Sequence, residues 1–209
     1  MKMSLKSAIT LLAVAAPSFA FASTWELDSS HSSAQFAVKH MMVSTVRGAF
    51  SNVKGTIHLD DKDITKSTIE ATIDAKTINT NEPKRDEHLR SPDFFDVEKF
   101  PTITFKSTKI AKAGKDKLNV TGDLTLHGVT KPVVLAVEGP TPETKDAWGN
   151  VRRGATATTK IKRSDFGLTW NKALEAGGVA VGDDITITLD LETTKKDEAA
   201  APAAGSTTK

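Results

Sequence analysis

The chain contains no cysteine among its 209 residues, which removes disulfides, thiolate chemistry, haem attachment through thiols and lipid attachment at an N-terminal Cys. Stability has to come from a packed core alone, and the length is sufficient for one substantial domain. No apolar run approaches the roughly 20 residues that a membrane-spanning helix requires. The chain also lacks a GxSxG elbow, a P-loop and an HExxH pair, so the common signatures of serine hydrolases, nucleotide enzymes and zinc peptidases are missing. Excess charge of one sign is lacking too, with 28 basic against 26 acidic side chains. Two of the bases, Lys2 and Lys6, fall in a leader, and their removal brings the basic count to 26 and the balance to zero. A nucleic-acid partner, which needs a basic surface, is therefore not expected.

The leader is residues 1–22. Lys2 and Lys6 supply its positive start, Ala8 to Ala16 its apolar middle, and Ala20-Phe21-Ala22 a small-x-small cleavage site. Export and a mature start at Ser23 are expected. At the other end, residues 195–209 are rich in Ala, Pro, Ser and Thr without periodicity and read as a disordered tail. Residues 23–194 remain as the folded domain.

Within that domain the dominant signal is period two. Ala34, Phe36 and Val38 alternate with polar neighbours, as do Val53, Gly55, Ile57 and Leu59, and Ile69, Ala71, Ile73 and Ala75. The rhythm returns at Ile103 and Phe105, at Leu118, Val120, Leu124 and Leu126, at Val133, Leu135 and Val137, at Ala155, Ala157 and Ile161, and at Ile185, Ile187, Leu189 and Leu191. Eight strands follow, each apolar on one face and joined by short polar or Gly-containing links that suit antiparallel hairpins. The fold class is all-β. Eight such strands form a sandwich with open edges or a barrel with none, and the barrel is favoured. Gly48 and Gly122 are the expected bend points.

One stretch breaks the rhythm. Residues 83–90 are good helix formers with Pro83 at a first helical position, and Ser91-Pro92 ends the run. Phe94, Phe95, Val97 and Phe100 then form an aromatic knot before Pro101 returns the chain to an extended path. A short helix followed by an aromatic plug is suited to capping one end of a β-structure.

Candidate chemistry is sparse. The histidines, His31, His40, His58, His88 and His127, show no metal-ligand spacing, so no metal and no cofactor are expected. Asp86 and His88 stand two apart on the helix and do not face each other. Gly177-Gly178-Val179-Ala180-Val181-Gly182 precedes a strand rather than opening a helix, which rules against a phosphate loop. Arg163-Ser164-Asp165-Phe166-Gly167-Leu168 suits a turn with Asp165 bonding its own backbone.

Arg85-Asp86-Glu87-His88-Leu89-Arg90-Ser91-Pro92, then Phe94-Phe95-Asp96 and Phe100-Pro101, resemble the signature of the YceI-like family. The resemblance extends from Trp25-Glu26-Leu27-Asp28, His31-Ser32 and Phe36-Ala37-Val38-Lys39-His40, through Arg47-Gly48 and Phe50, to Leu124-Thr125-Leu126-His127-Gly128-Val129-Thr130 and the Arg163 to Leu168 turn. It implies a periplasmic, lipocalin-like antiparallel barrel of eight strands that encloses an isoprenoid lipid, of polyprenyl or quinone type, as ligand. Physics is compatible with this, because an eight-stranded barrel is at the size where side chains fill the interior or leave room for one small ligand. The small inward candidates Ala34, Ala71, Ala75, Gly122, Ala155, Ala157 and Thr159 favour the second case. The expected pocket lining is Phe36, Val38, Phe50, Ile73, Ile103, Phe105, Leu124 and Leu126, with His40, Arg47, Arg85 or His88 near the mouth for a polar head. No catalytic residue is assigned. The alternative is an exported enzyme with a site assembled at the barrel mouth from Asp86, His88, His31 and Asp165. Whether the chain forms a homodimer is left open.

Overall fold

The computed structural model describes residues 22–196 apart from 176, so the expected leader up to residue 21 and the expected tail from residue 197 lie outside the described residues. The strands are β1 (Ala22–Leu27), β2 (Ser33–His40), β3 (Ser44–Phe50), β4 (Lys54–Asp60) and β5 (Thr68–Asp74), then the helix α1 (Pro83–Arg90). They continue as β6 (Thr102–Gly114), β7 (Lys117–Leu126), β8 (Val129–Glu138), the two-residue β9 (Thr144–Lys145), β10 (Val151–Lys162) and β11 (Val181–Lys195).

Pairing closes the sheet on itself. Among the described residues every paired strand is antiparallel to its neighbour, and β11 bonds to β10 on one edge and to β1 and β2 on the other. Both β1 and β2 run along the same edge of β11, with Trp25 opposite Lys195 and Phe36 opposite Ile187. They are therefore two halves of one barrel strand interrupted at residues 28–32. Likewise β3 pairs with β2 and β4 with β1, so these make a second interrupted strand. Counted in this way the barrel has the eight strands expected, in simple up-and-down order.

The first interruption has a local cause. Asp28 Oδ1 accepts from Ser30 N at 2.9 Å, turning the chain, and Ser32 Oγ accepts from Glu192 N at 3.1 Å, which holds β11 across the gap. In the second, Thr77 Oγ1 accepts from Ser51 N at 3.1 Å and donates to Ser51 O at 3.0 Å, so the segment after β5 substitutes for the missing ladder.

Alternation decides which face is inside. Along β6, Ile103 and Ile110 are buried while Lys106 and Lys109 are exposed, and Lys106 pairs across the outer face with Glu70 at 2.7 Å. An apolar interior with a charged exterior is the reverse of a lipid-facing barrel, which carries its apolar band outside. Among the described residues no helix is long and apolar enough to cross a membrane.

The helix forms where the sequence places it. Pro83 occupies its first turn, and the Glu82 carboxylate accepts from Lys84 N and Arg85 N at 3.3 and 2.6 Å. At its last position Arg90 donates to the carbonyls of Lys76 and Ile78 at 2.9 and 2.8 Å, tying the helix to the turn after β5. Beneath it Phe50, Ile78, Phe94, Val97, Phe166 and Leu168 form the main packed core. That core plugs one end of the barrel. A smaller cluster of Ile110, Leu118 and Val120 lies toward the other end.

The structure departs from three expectations. Lys195 belongs to the last strand, opposite Trp25, because that pairing closes the barrel; the tail does not begin there. Ala75 is not a strand residue but starts a 3-10 turn, Ala75–Thr77, under the plug. In the turn Arg163–Phe166 there is no side-chain cap; Asp165 is exposed, and Ser164 N donates to Asp183 Oδ1 at 3.0 Å instead.

Candidate ligand cavity

Between the two packed clusters the barrel is hollow. The cavity has a volume of about 290 Å³, roughly twice the 150 Å³ of an engineered apolar cavity that stays dry and binds benzene. It runs from Leu89, Phe94 and Phe95 at the plug to Trp25, Leu59, Pro140 and Arg153 at the opposite end.

Side-chain size explains the space. Inward positions on β10 carry Ala155, Ala157 and Thr159, and those on β2 and β5 include Ala34 and Ala71, so this part of the wall is thin. Beside them, larger rings are held tightly. Phe36 lies opposite Gly48 in the β2–β3 register, and a Cβ on Gly48 would come within 2.5 Å of its ring. Gly122 plays the same part for Phe105, next to a register shift between Ser107 and Lys109. Each of the two glycines expected as bend points seats an aromatic ring.

Phe36, Val38, Phe50, Ile73, Ile103, Phe105, Leu124 and Leu126 all line the cavity. His40, Arg47, Arg85 and His88 do not. Period two carries Arg47, opposite Ala37, to the outer face, and His40 is exposed at the end of β2. Arg85 donates through Nε to Thr80 Oγ1 at 2.8 Å and through Nη2 to Thr80 O at 2.9 Å. His88 pairs with Asp93 Oδ2 at 2.8 Å and packs edge-on against Phe94 and Trp170, at 5.0 and 4.9 Å between centroids. Both are committed to holding the plug.

The alternative catalytic set is not brought together. Asp86 is buried and accepts from Thr80 N and Thr80 Oγ1 at 2.8 and 2.5 Å. His31 belongs to another cluster, with Nδ1 at 3.0 Å from Asp28 Oδ2. Among the described residues no hydrogen bond or ion pair joins any two of Asp86, His88, His31 and Asp165. Asp28, His31 and Glu192 do present ligand atoms within 4.8 Å of one another. Arg152 already occupies the space, with Nη1 on Asp28 Oδ2 at 2.6 Å and on Glu192 Oε1 at 2.5 Å, and Nε on Asp146 Oδ2 at 2.7 Å. Its hydrogen bond holds the Asp28 carboxyl well below the usual carboxylate range, with His31 adding to the effect.

Two cavity residues carry charge and were absent from the expected lining, Arg153 and Arg163. The signal for them was in the sequence, because the inward row Ala155, Ala157, Thr159, Ile161 extends by two in each direction to an arginine. Many further apolar lining residues, such as Trp25, Leu27, Ile69, Val120 and Leu135, follow the same period.

Comparison with known proteins places this geometry. Residues 25–193 match the model of the YceI-like domain. A UPF0312 protein of Vibrio parahaemolyticus is 39% identical over 170 residues, covering 80% of this chain and 89% of the relative. Another, from Pectobacterium atrosepticum, is 37% identical over 163 residues, covering 78% and 84%. Among solved structures, BcnA of Burkholderia cenocepacia superposes with a TM-score of 0.67 at 25% identity, covering 79% of this chain and 98% of that one. The YCEI protein of Campylobacter jejuni gives 0.64 at 33%, covering 76% and 90%. A polyisoprenoid binding domain from Saccharophagus degradans gives 0.60 at 15%, covering 82% and 98%, and shares the fold.

Proposed function

The chain belongs to the YceI-like domain family, and from that premise we propose that it is a periplasmic carrier that holds an isoprenoid lipid, polyprenyl or quinone in type, inside its barrel, and that it is not an enzyme. The observation that carries this is the apolar cavity of about 290 Å³ running through the barrel. An empty apolar space of this size forfeits packing along all its walls, and a flexible chain of methyl and methylene groups restores it. Each methylene buried contributes about 0.8 kcal/mol, so one or two prenyl units offset a substantial part of the ordering cost of association. Branched prenyl chains suit a bore whose width varies between alanine and phenylalanine walls. The name given to the domain from Saccharophagus degradans, polyisoprenoid binding, agrees with this ligand class, although the likeness at 15% identity is one of fold. Export follows from the leader in residues 1–22, and cleavage after Ala22 would leave β1 almost whole.

The test is mass spectrometry of an organic extract of the exported, purified protein. A prenyl lipid at near-stoichiometric yield is expected. Recovery of only straight-chain lipids in amounts matching a denatured control would overturn the proposal.

A further inference from the structure

The inward row of β10, continued one residue past the strand, has a guanidinium at each end, and the two are in different states. Arg163 is buried, and its donors are taken up by main-chain carbonyls: Nε by Gly182 O at 2.9 Å, Nη1 by Leu168 O and Trp170 O at 2.5 and 2.9 Å, Nη2 by Val181 O at 3.3 Å. It is a strut of the plugged end. Arg153, at the opposite end, lines the cavity with a buried Nε that has no hydrogen-bond partner, alone in this among the side-chain nitrogens and oxygens of the described residues. Leaving a donor of a charged group buried and unpaired is costly, and a ligand oxygen in the cavity would relieve it.

The surroundings say which kind of oxygen. The Arg153 guanidinium stands 5.0 Å from the Trp25 ring, and Lys195 Nζ is 5.5 Å from the same ring. Arg153 Nη2 and Lys195 Nζ both reach Glu143 Oε1, at 3.2 and 3.3 Å. Two cations thus share one carboxylate, a surplus of one positive charge over the indole. The acidic cluster of Asp28, Asp146 and Glu192 is bound by Arg152, whose side chain alternation sends to the other face of β10.

We propose that Arg153 binds the anionic end group of the lipid, a phosphate on a prenyl chain, at the barrel end opposite the plug, with Nε donating to a phosphate oxygen. This deepens the carrier assignment above and rests on it. Trp25 supplies the apolar floor under the first prenyl unit and, through its ring face, holds the guanidinium in place.

The probes are geranylgeranyl phosphate and geranylgeraniol, identical in chain, titrated into delipidated protein. Wild type is expected to bind the phosphate at least about tenfold more tightly, the scale of one charge-assisted hydrogen bond. Arg153→Met should erase that gap by weakening the phosphate far more than the alcohol, and Glu143→Gln, which removes the competing carboxylate, should widen it. Equal binding of the two probes by wild type, or a gap that survives Arg153→Met, overturns the anchor while the carrier assignment stands. Binding of neither probe overturns both. Should Arg153→Met fail to fold, the exposed Glu143→Gln decides, since an unchanged gap there counts against the anchor.

Discussion

Burial sets what Asp86 can do. Its carboxylate receives both donors of Thr80, and Thr80 in turn receives Arg85 Nε at 2.8 Å. Asp86→Ala leaves two buried donors without a partner, so it should lower unfolding free energy by about 1 to 3 kcal/mol. Urea unfolding measures this, and bound lipid content should be unchanged in the folded fraction. A variant of normal stability that had lost its function would return Asp86 to the catalytic candidates. At this scale the sequence told part of the story. Gly48 and Gly122 were legible as special positions because glycine within a strand weakens it unless something requires it. What requires it is the ring of Phe36 or Phe105 pressed onto the backbone from the neighbouring strand, and no local pattern announces a cross-strand partner.

Among elements, the interrupted first strand depends most on charge. Arg152 on β10 gathers Asp28 from the interruption, Glu192 from β11 and Asp146 from the loop before β10. His31 is held above its ordinary value by its hydrogen bond to Asp28 and by the charges of Asp28 and Glu192. A group raised in the folded state contributes stability below its unfolded value and loses it as pH rises through the folded one. The urea midpoint should therefore fall slightly as pH rises above about 6.5, and His31→Gln should flatten that slope. The carboxyls behave oppositely. Asp28 is depressed chiefly by Arg152, and Asp146 by Asn150 and then Arg152, so their contribution is present above the ordinary value of about 3.9 and is lost in acid. Arg152→Gln should make the midpoint less dependent on pH below about 5, where the unfolded wild-type chain takes up protons at these carboxyls and the folded one does not. A pH profile identical to wild type in either variant would mean the cluster contributes nothing. The elements themselves were largely legible. Helix α1 follows from Pro83 and the Ser91-Pro92 stop, whereas the interruption at residues 28–32 did not show, since the local turn at Asp28 becomes a break in the strand only once Ser32 bonds Glu192 of β11, 160 residues away in the chain.

For the whole molecule the question is whether the interior is filled. Phe105 lies against Gly122 on one side and lines the cavity on the other. In a filled interior Phe105→Trp would cost about 1 to 3 kcal/mol through overpacking. In a hollow one the larger ring enters free space, so near-normal urea unfolding and weakened prenyl-lipid uptake are expected together. A variant clearly destabilised yet unchanged in binding would place Phe105 in a packed core and the ligand elsewhere.

Strand number, antiparallel pairing, the capping helix and the inward face of each strand were determined by the sequence alone, because period two, turn residues and proline act over a few positions at a time. Closure was decided in three dimensions, since Trp25 and Lys195 meet only when the first and last strands come together. The cavity was likewise a tertiary outcome: whether Ala71, Ala155, Ala157 and Thr159 leave a hole depends on what stands opposite across the barrel. The positively charged end had the same origin. Arg153, Lys195, Glu143 and Trp25 are scattered along the chain, and a desolvated, unpaired nitrogen exists only once folding has withdrawn water from it.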